Sequence, residues 1–126
     1  MHPNIPKIKA PKGYKFKVSK YYRGVIIYLL HGDYNIGSIR LSLSHMYDNT
    51  FYTHSYLDHC YRGKGLGTLM YARAIQWALE HGKKVQSSYT PSVYARRVWN
   101  SQGLRKYFRI IKGKSAWFAH PKLTKK

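Results

Sequence analysis

The chain has 126 residues, enough for one domain with a real core and little room for a second. It carries 23 Lys and Arg against 4 Asp and Glu, a formal net charge of +19, which favours polyanionic partners because each neutralised phosphate releases counterions. There is no run of about 18 apolar residues, no apolar leader in residues 1–6 and a single Cys60, so neither a membrane-spanning helix nor an internal disulfide is expected and a cytoplasmic setting is the default. The charge is uneven: seven basic residues fall between Lys7 and Arg23, only Arg40 lies between 24 and 61, and fifteen follow from Arg62. Among them sit 13 tyrosines, side chains that stack on bases or pack in a β-rich core.

Residues 1–13 combine Pro3, Pro6, Pro11 and Gly13 with lysines and read as an extended or disordered basic arm. From Tyr14 the pattern alternates, with Tyr14, Phe16 and Val18 on one face and Lys15, Lys17 and Ser19 on the other, as in a half-buried strand. Residues 25–30 are a denser β-branched run and predict a more central strand. A turn at 31–35 leads into a strand over 36–43, and after Asp48-Asn49 a further strand is predicted over 50–57. Past Gly67 the period lengthens to about 3.6. Leu66, Leu69, Met70, Ala74, Trp77 and Ala78 form one apolar stripe, with Arg73 and Gln76 turned elsewhere and Gly82 as the stop. A short strand over 85–89 follows. A second helix is predicted with Thr90 as N-cap and Pro91 in its first turn, holding Ala95, Val98 and Trp99 inward and ending at Gly103. Residues 107–111 and 116–119 predict a terminal hairpin, and a basic tail runs from Pro121. The order implies an α+β layer, a mixed sheet covered by two helices, forming a single domain over 14–120.

Between the fourth strand and the first helix lies Tyr61-Arg62-Gly63-Lys64-Gly65-Leu66-Gly67-Thr68. A glycine-rich turn opening a helix aims several backbone N–H groups and the positive end of the helix dipole at one spot. Glycine lets the backbone bend tightly and approach an anion without a Cβ in the way. The physical reading is a pyrophosphate cradle, and an ordinary surface turn is its rival.

The stretch from Leu57 to Met70 resembles the acetyl-CoA motif of the GNAT acyltransferase superfamily, Arg/Gln-x-x-Gly-x-Gly/Ala between a strand and a helix. Ser92-x-x-Ala95-x-x-Val98-Trp99, followed by Gly103-Leu104, is similar to that family's second signature, and the similarity covers about residues 24–120. The resemblance implies a GNAT-like sheet, mostly antiparallel, flanked by two main helices, with acetyl-CoA as co-substrate. It places the pyrophosphate on the N–H groups of Arg62, Gly63, Lys64, Gly65, Leu66, Gly67 and Thr68. The pantetheine arm would pair with main chain around Leu57, Asp58 and His59, and Ser92 corresponds to the family's asparagine in the second signature. The implied reaction is direct attack by a neutral amine on the acetyl carbonyl.

Two departures bear on the chemistry. Trp99 stands where many members have a tyrosine that protonates the departing thiolate, and an indole N–H is too weak an acid for that task. Tyr94, Ser88, Tyr89 or water are the groups that could replace it. For the base, the preceding strand offers His54 and, at its end, Asp58 and His59; His54 has the better intrinsic pKa, with an ordinary strand histidine as the rival reading. The family also has helices between its first two strands, and here only residues 19–24 separate them. A shortened acceptor side together with the basic arm implies an open groove and a large anionic acceptor. The seven histidines show no metal-ligand spacing, so no metal site is expected, and Cys60 has no evident catalytic partner.

The leading expectation is an N-acetyltransferase acting on a nucleic-acid-associated amine: a modified base, an aminoacyl group on tRNA, or a lysine of a nucleic-acid-binding protein. Phage base-modifying enzymes and toxins acting on aminoacyl-tRNA are GNAT-like precedents for such use. The alternatives are a non-catalytic GNAT-fold nucleic-acid binder and a small-molecule N-acetyltransferase. The sequence does not distinguish monomer from dimer.

Overall fold

The computed structural model describes residues 5–45 and 47–122. Four strands come first: β1 Tyr14–Tyr21, β2 Gly24–His31, β3 Tyr34–Leu43 and β4 Thr50–Leu57. They are followed by α1 Leu66–Glu80, β5 Lys84–Ser87, α2 Val93–Trp99, a single helical turn α3 Gln102–Arg105, β6 Arg109–Lys112 and β7 Trp117–His120. All seven strands form one sheet in the order β1-β2-β3-β4-β5-β7-β6. Every pairing is antiparallel except β4 with β5, which the α1 crossover makes parallel. This is the α+β architecture that the resemblance implies, a mostly antiparallel sheet with helices packed on it.

Strand alternation sets the layers. Val25, Ile27 and Leu29 of β2 pair with Leu41, Ile39 and Gly37 of β3, and all six point to the face that α1 covers. Gly37 must be glycine, because a Cβ there would press at 2.9 Å on the Leu57 and Met70 side chains. The buried set of α1 is wider than the expected stripe, adding Tyr71, Ala72, Ile75 and Gln76. The helix is therefore sandwiched between the sheet and α2–α3 rather than lying on the surface, which is why a single-stripe pattern describes it incompletely.

Several boundaries differ from expectation for local reasons. The N-cap of α2 is Ser92, whose Oγ accepts the Ala95 N–H at 3.1 Å, so Thr90 lies upstream of the helix. That helix ends at Trp99, and Gly103 falls inside α3, which Ser101 caps through the Leu104 N–H at 3.1 Å. Strand β5 stops at Ser87 instead of Tyr89. Gln76, off the apolar stripe, is buried all the same: its Oε1 accepts the Ile8 N–H at 3.1 Å, and Ile8 joins the core. The arm is thus packed at Ile8, because an isoleucine and a buried amide give it a docking point. Residues 1–4 of the arm and 123–126 of the tail lie outside the described residues.

Candidate active site

Leu57 ends β4 and the chain turns at once. Asp58 caps the short 3-10 turn His59–Tyr61 by accepting the Cys60 N–H at 3.0 Å. The Arg62 Nε donates to the Leu57 carbonyl at 3.0 Å, tying the loop back to the strand it left. Tyr61 is held by the far end of the first hairpin: its hydroxyl lies 2.8 Å from His31 Nδ1, and Tyr14 stacks on that imidazole with centroids 4.4 Å apart.

The three glycines answer to two constraints. Gly63 and Gly65 sit at φ 81° and 80°, the left-handed region that side chains other than glycine enter at a cost. Gly67 has an ordinary φ, but a Cβ on it would overlap the hydroxyl of Tyr94 reaching over from α2. Gly65 is the N-cap of α1 and no side chain caps that end, so first-turn N–H groups face outward with the positive end of a 15-residue helix behind them. They open on a hollow of about 240 Å³, lined by the three glycines and Thr68 on one side and by Tyr94, Arg97, Val98 and Ser101 on the other. The Arg62 guanidinium stands 5.1 Å from the centroid of the Tyr94 ring. Burial raises the Tyr94 phenol above its ordinary pKa, with Arg62 pulling the other way.

Beside this cradle the sheet forks. The β4–β5 register ends at Thr53 opposite Ser87, while β4 continues four residues further, to Leu57. On the helix side of the fork the Tyr71 hydroxyl lies 2.7 Å from Ser55 Oγ. Burial pushes that phenol up to about 12 against the opposing hydrogen bond from Ser55, so it is neutral and proton-bearing at physiological pH. Trp99 packs edge-on against Tyr71 with centroids 5.8 Å apart, and its indole Nε1 is buried without a partner. On the opposite side of the sheet a second hollow of about 300 Å³ is lined by His54, Ser88, Tyr52 and His45, with Ser44, Tyr89 and Thr90.

The structure therefore brings His54 and Ser88 together at one hollow and sets Tyr94 in the other, beside the glycines. Ser92, expected at the cofactor, caps α2 and does not line the cradle. The residues that sequence reasoning missed are Tyr71, Ser55, Arg97 and Ser101. Arg97 is one of many basic residues with no motif around it, and Tyr71 sits in a helix whose pattern shows nothing catalytic. Only the packing of α2 on α1 and of α1 under β4 juxtaposes them. Asp58, His59 and Cys60 present ligand-type atoms within 4.8 Å of one another, with one Asp58 carboxylate oxygen accepting the Cys60 N–H.

A family model of the acetyltransferase (GNAT) family matches residues 7–104, and the chain belongs to that family. No curated protein sequence matches it. Solved structures share the fold at low identity. A Bacillus subtilis acetyltransferase in complex with CoA superposes with a TM-score of 0.61 at 14% identity, covering 87% of this chain and 99% of the other. An acetyltransferase from Salmonella typhimurium, solved with its cofactor acetyl-CoA, gives 0.54 at 16% identity, covering 76% of this chain and 61% of its own. The ribosomal-protein-S5-alanine acetyltransferase of Vibrio fischeri gives 0.55 at 14% identity, covering 79% and 61%. This chain thus spans less than two thirds of the Salmonella and Vibrio proteins. Among the described residues no helix is long and apolar enough to cross a membrane.

Proposed function

We propose that this protein transfers an acetyl group from acetyl-CoA to an amine by direct attack, and that the amine belongs to a nucleic-acid-associated acceptor. The observation that carries the reading is the cradle. Its glycines are fixed by two left-handed turns and one close approach, and it opens on a hollow beside the fork in the sheet. A pyrophosphate fits this donor set: N–H groups of residues 63–68 on one wall and Arg97 on the other, the Arg62 N–H being taken by the His59 carbonyl at 3.2 Å. The β4 main chain beyond Thr53 is left without a β5 neighbour, an edge suited to an extended pantetheine.

Acetyl-CoA supplies an activated acyl group and a thiolate leaving group. The chain's own residues hold the two substrates in line and manage protons. In this reading His54, exposed on the open side of the sheet, takes a proton from the incoming amine. Tyr71, neutral and linked to Ser55 on the helix side of the fork, is the hydroxyl we assign to return one in the role that Trp99 cannot fill. Tyr94 serves the cradle instead, its ring under Arg62.

The acceptor reading rests on charge. None of the residues lining the His54 hollow is acidic, so it has no carboxylate to recognise a free polyamine, while the chain as a whole carries +19. A fold neighbour named for acetylating a ribosomal protein is in keeping with such an acceptor. Calorimetric titration with acetyl-CoA, followed by mass spectrometry of nucleic acid and protein from cells with and without the chain, tests both halves. Binding together with an added acetyl on a nucleic-acid-associated amine is the expected result. Efficient turnover of a free polyamine or aminoglycoside, with no nucleic-acid affinity at moderate salt, would overturn the acceptor. One observation favours a second reading, a non-catalytic binder: the buried, partnerless Trp99 in place of the tyrosine. Absence of acetyl-CoA binding at high micromolar concentration would decide for it.

A further inference from the structure

All three helices lie on one side of the β1–β4 half-sheet; among the described residues no helix crosses its other face. The register lays that face out as a grid. One row runs Lys17, Tyr28, Ser38, Tyr56; the next runs Ser19, Ile26, Arg40, His54; the third runs Tyr21, Gly24, Ser42, Tyr52. Successive rows are about 7 Å apart and neighbouring strands about 4.8 Å. Serine and glycine separate the tyrosines, so the rings stand above a low floor. Tyr56 is 62% exposed and Tyr21 39%. Side-chain contacts confirm the shared face: the Arg40 guanidinium lies 5.8 Å from the Tyr21 ring, and the Tyr21 hydroxyl 2.8 Å from Ser42 Oγ.

We infer that this uncovered face binds single-stranded nucleic acid, with bases stacked on Tyr28, Tyr56 and Tyr52 and phosphates met by Lys17 and Arg40. The inference deepens the acceptor half of the function proposed above and rests on it. Three features choose the occupant. The strands of this face carry cations and aromatic rings but no carboxylate; Asp33, Asp48 and Asp58 lie beyond the strand ends and Glu80 ends α1. Rings standing on a sheet engage the faces of unstacked bases, which a duplex keeps hidden. The grid also runs without a break into the His54 hollow, since Tyr52 and His54 belong to both. A strand lying across the face therefore carries its amine-bearing residue to the fork. A second copy of the chain is the competing occupant, but a two-fold contact here would set Lys17 and Arg40 against like charges on a chain of +19.

The test is fluorescence anisotropy with a labelled single-stranded oligonucleotide of mixed sequence, run without acetyl-CoA so that binding is read apart from transfer. The variants are Tyr56→Ala and Arg40→Ala, both at exposed positions, with acetyl-CoA titration and urea unfolding as controls for the fold. Tyr56→Ala should weaken single-strand binding about tenfold or more with little change in salt dependence. Arg40→Ala should lower the slope of log affinity against log salt by about 0.7. A duplex of the same sequence should bind more weakly than the single strand. Full single-strand affinity in both variants overturns the inference, as does a solution dimer that Tyr56→Ala converts to monomer. A chain that acetylates free amines yet ignores oligonucleotides sinks this site and leaves the transferase standing. Oligonucleotide binding that Tyr56→Ala weakens, without acetyl-CoA affinity, supports the site and sinks the transferase.

Discussion

Replacing Tyr71 with phenylalanine probes the fork directly, because it removes one oxygen and leaves the ring in place. At neutral pH the variant loses the 2.7 Å contact with Ser55, a hydrogen bond with a net value of about 1 kcal/mol. At high pH the sign reverses. Burial disfavours the phenolate and pushes the phenol up to about 12 in the fold, against its ordinary 10.0. A raised folded pKa contributes fully below the unfolded value and is lost as pH climbs through the folded one. The wild type should therefore give up about 2 kcal/mol through this group by about pH 11.5, a loss that phenylalanine cannot suffer. The stability difference between the two proteins, read from urea midpoints across this pH range, should shrink and then change sign. A difference that stays flat from neutral pH to about pH 11.5 would refute the burial argument, and with it the claim that a neutral phenol waits at the fork. Activity gives an independent reading: kcat should fall while acetyl-CoA affinity holds, since the hydroxyl does not line the cradle.

Gly65→Ala forces a side chain into φ 80° and should cost about 1–2 kcal/mol in urea unfolding, together with a clear loss of acetyl-CoA affinity by calorimetry. Ile8→Ala, at a position 7% exposed, should cost about 2–3 kcal/mol; a change near zero would show that residues before β1 do not belong to the core. Burial, then Arg109 and Lys84, hold the His120 imidazole below its ordinary pKa, so its contribution is present above the unfolded value and fades as pH falls below it. Replacing His120 with glutamine should flatten the acid side of the stability curve, measured by thermal melts between about pH 7 and about pH 5.

Much of the fold was legible along the chain because strands and helices write their period into it. The alternation at Tyr14–Val18 marks the hairpin's first strand, and the change of period after Gly67 marks α1. The glycine loop could be read because a tight turn before a helix demands a residue type and not merely a polarity. Helix ends at α2 were harder. Thr90, Ser92 and Ser101 are all competent caps, and only packing decides which hydroxyl meets an unpaired N–H.

By itself, then, the sequence determined the α+β layering, the position of the anion loop and the basic character of the surface. These follow from local periodicity, glycine stereochemistry and composition. Only the tertiary structure decided that Tyr71 and Ser55 share the fork, that Arg97 closes the cradle opposite Gly67, and that Ile8 belongs to the core. It also decided that Lys17, Tyr28, Ser38 and Tyr56 form one row. The physical reason is common to all four. Each depends on which segments, distant along the chain, are brought side by side, and a side chain's local pattern records which way it faces but not what it meets.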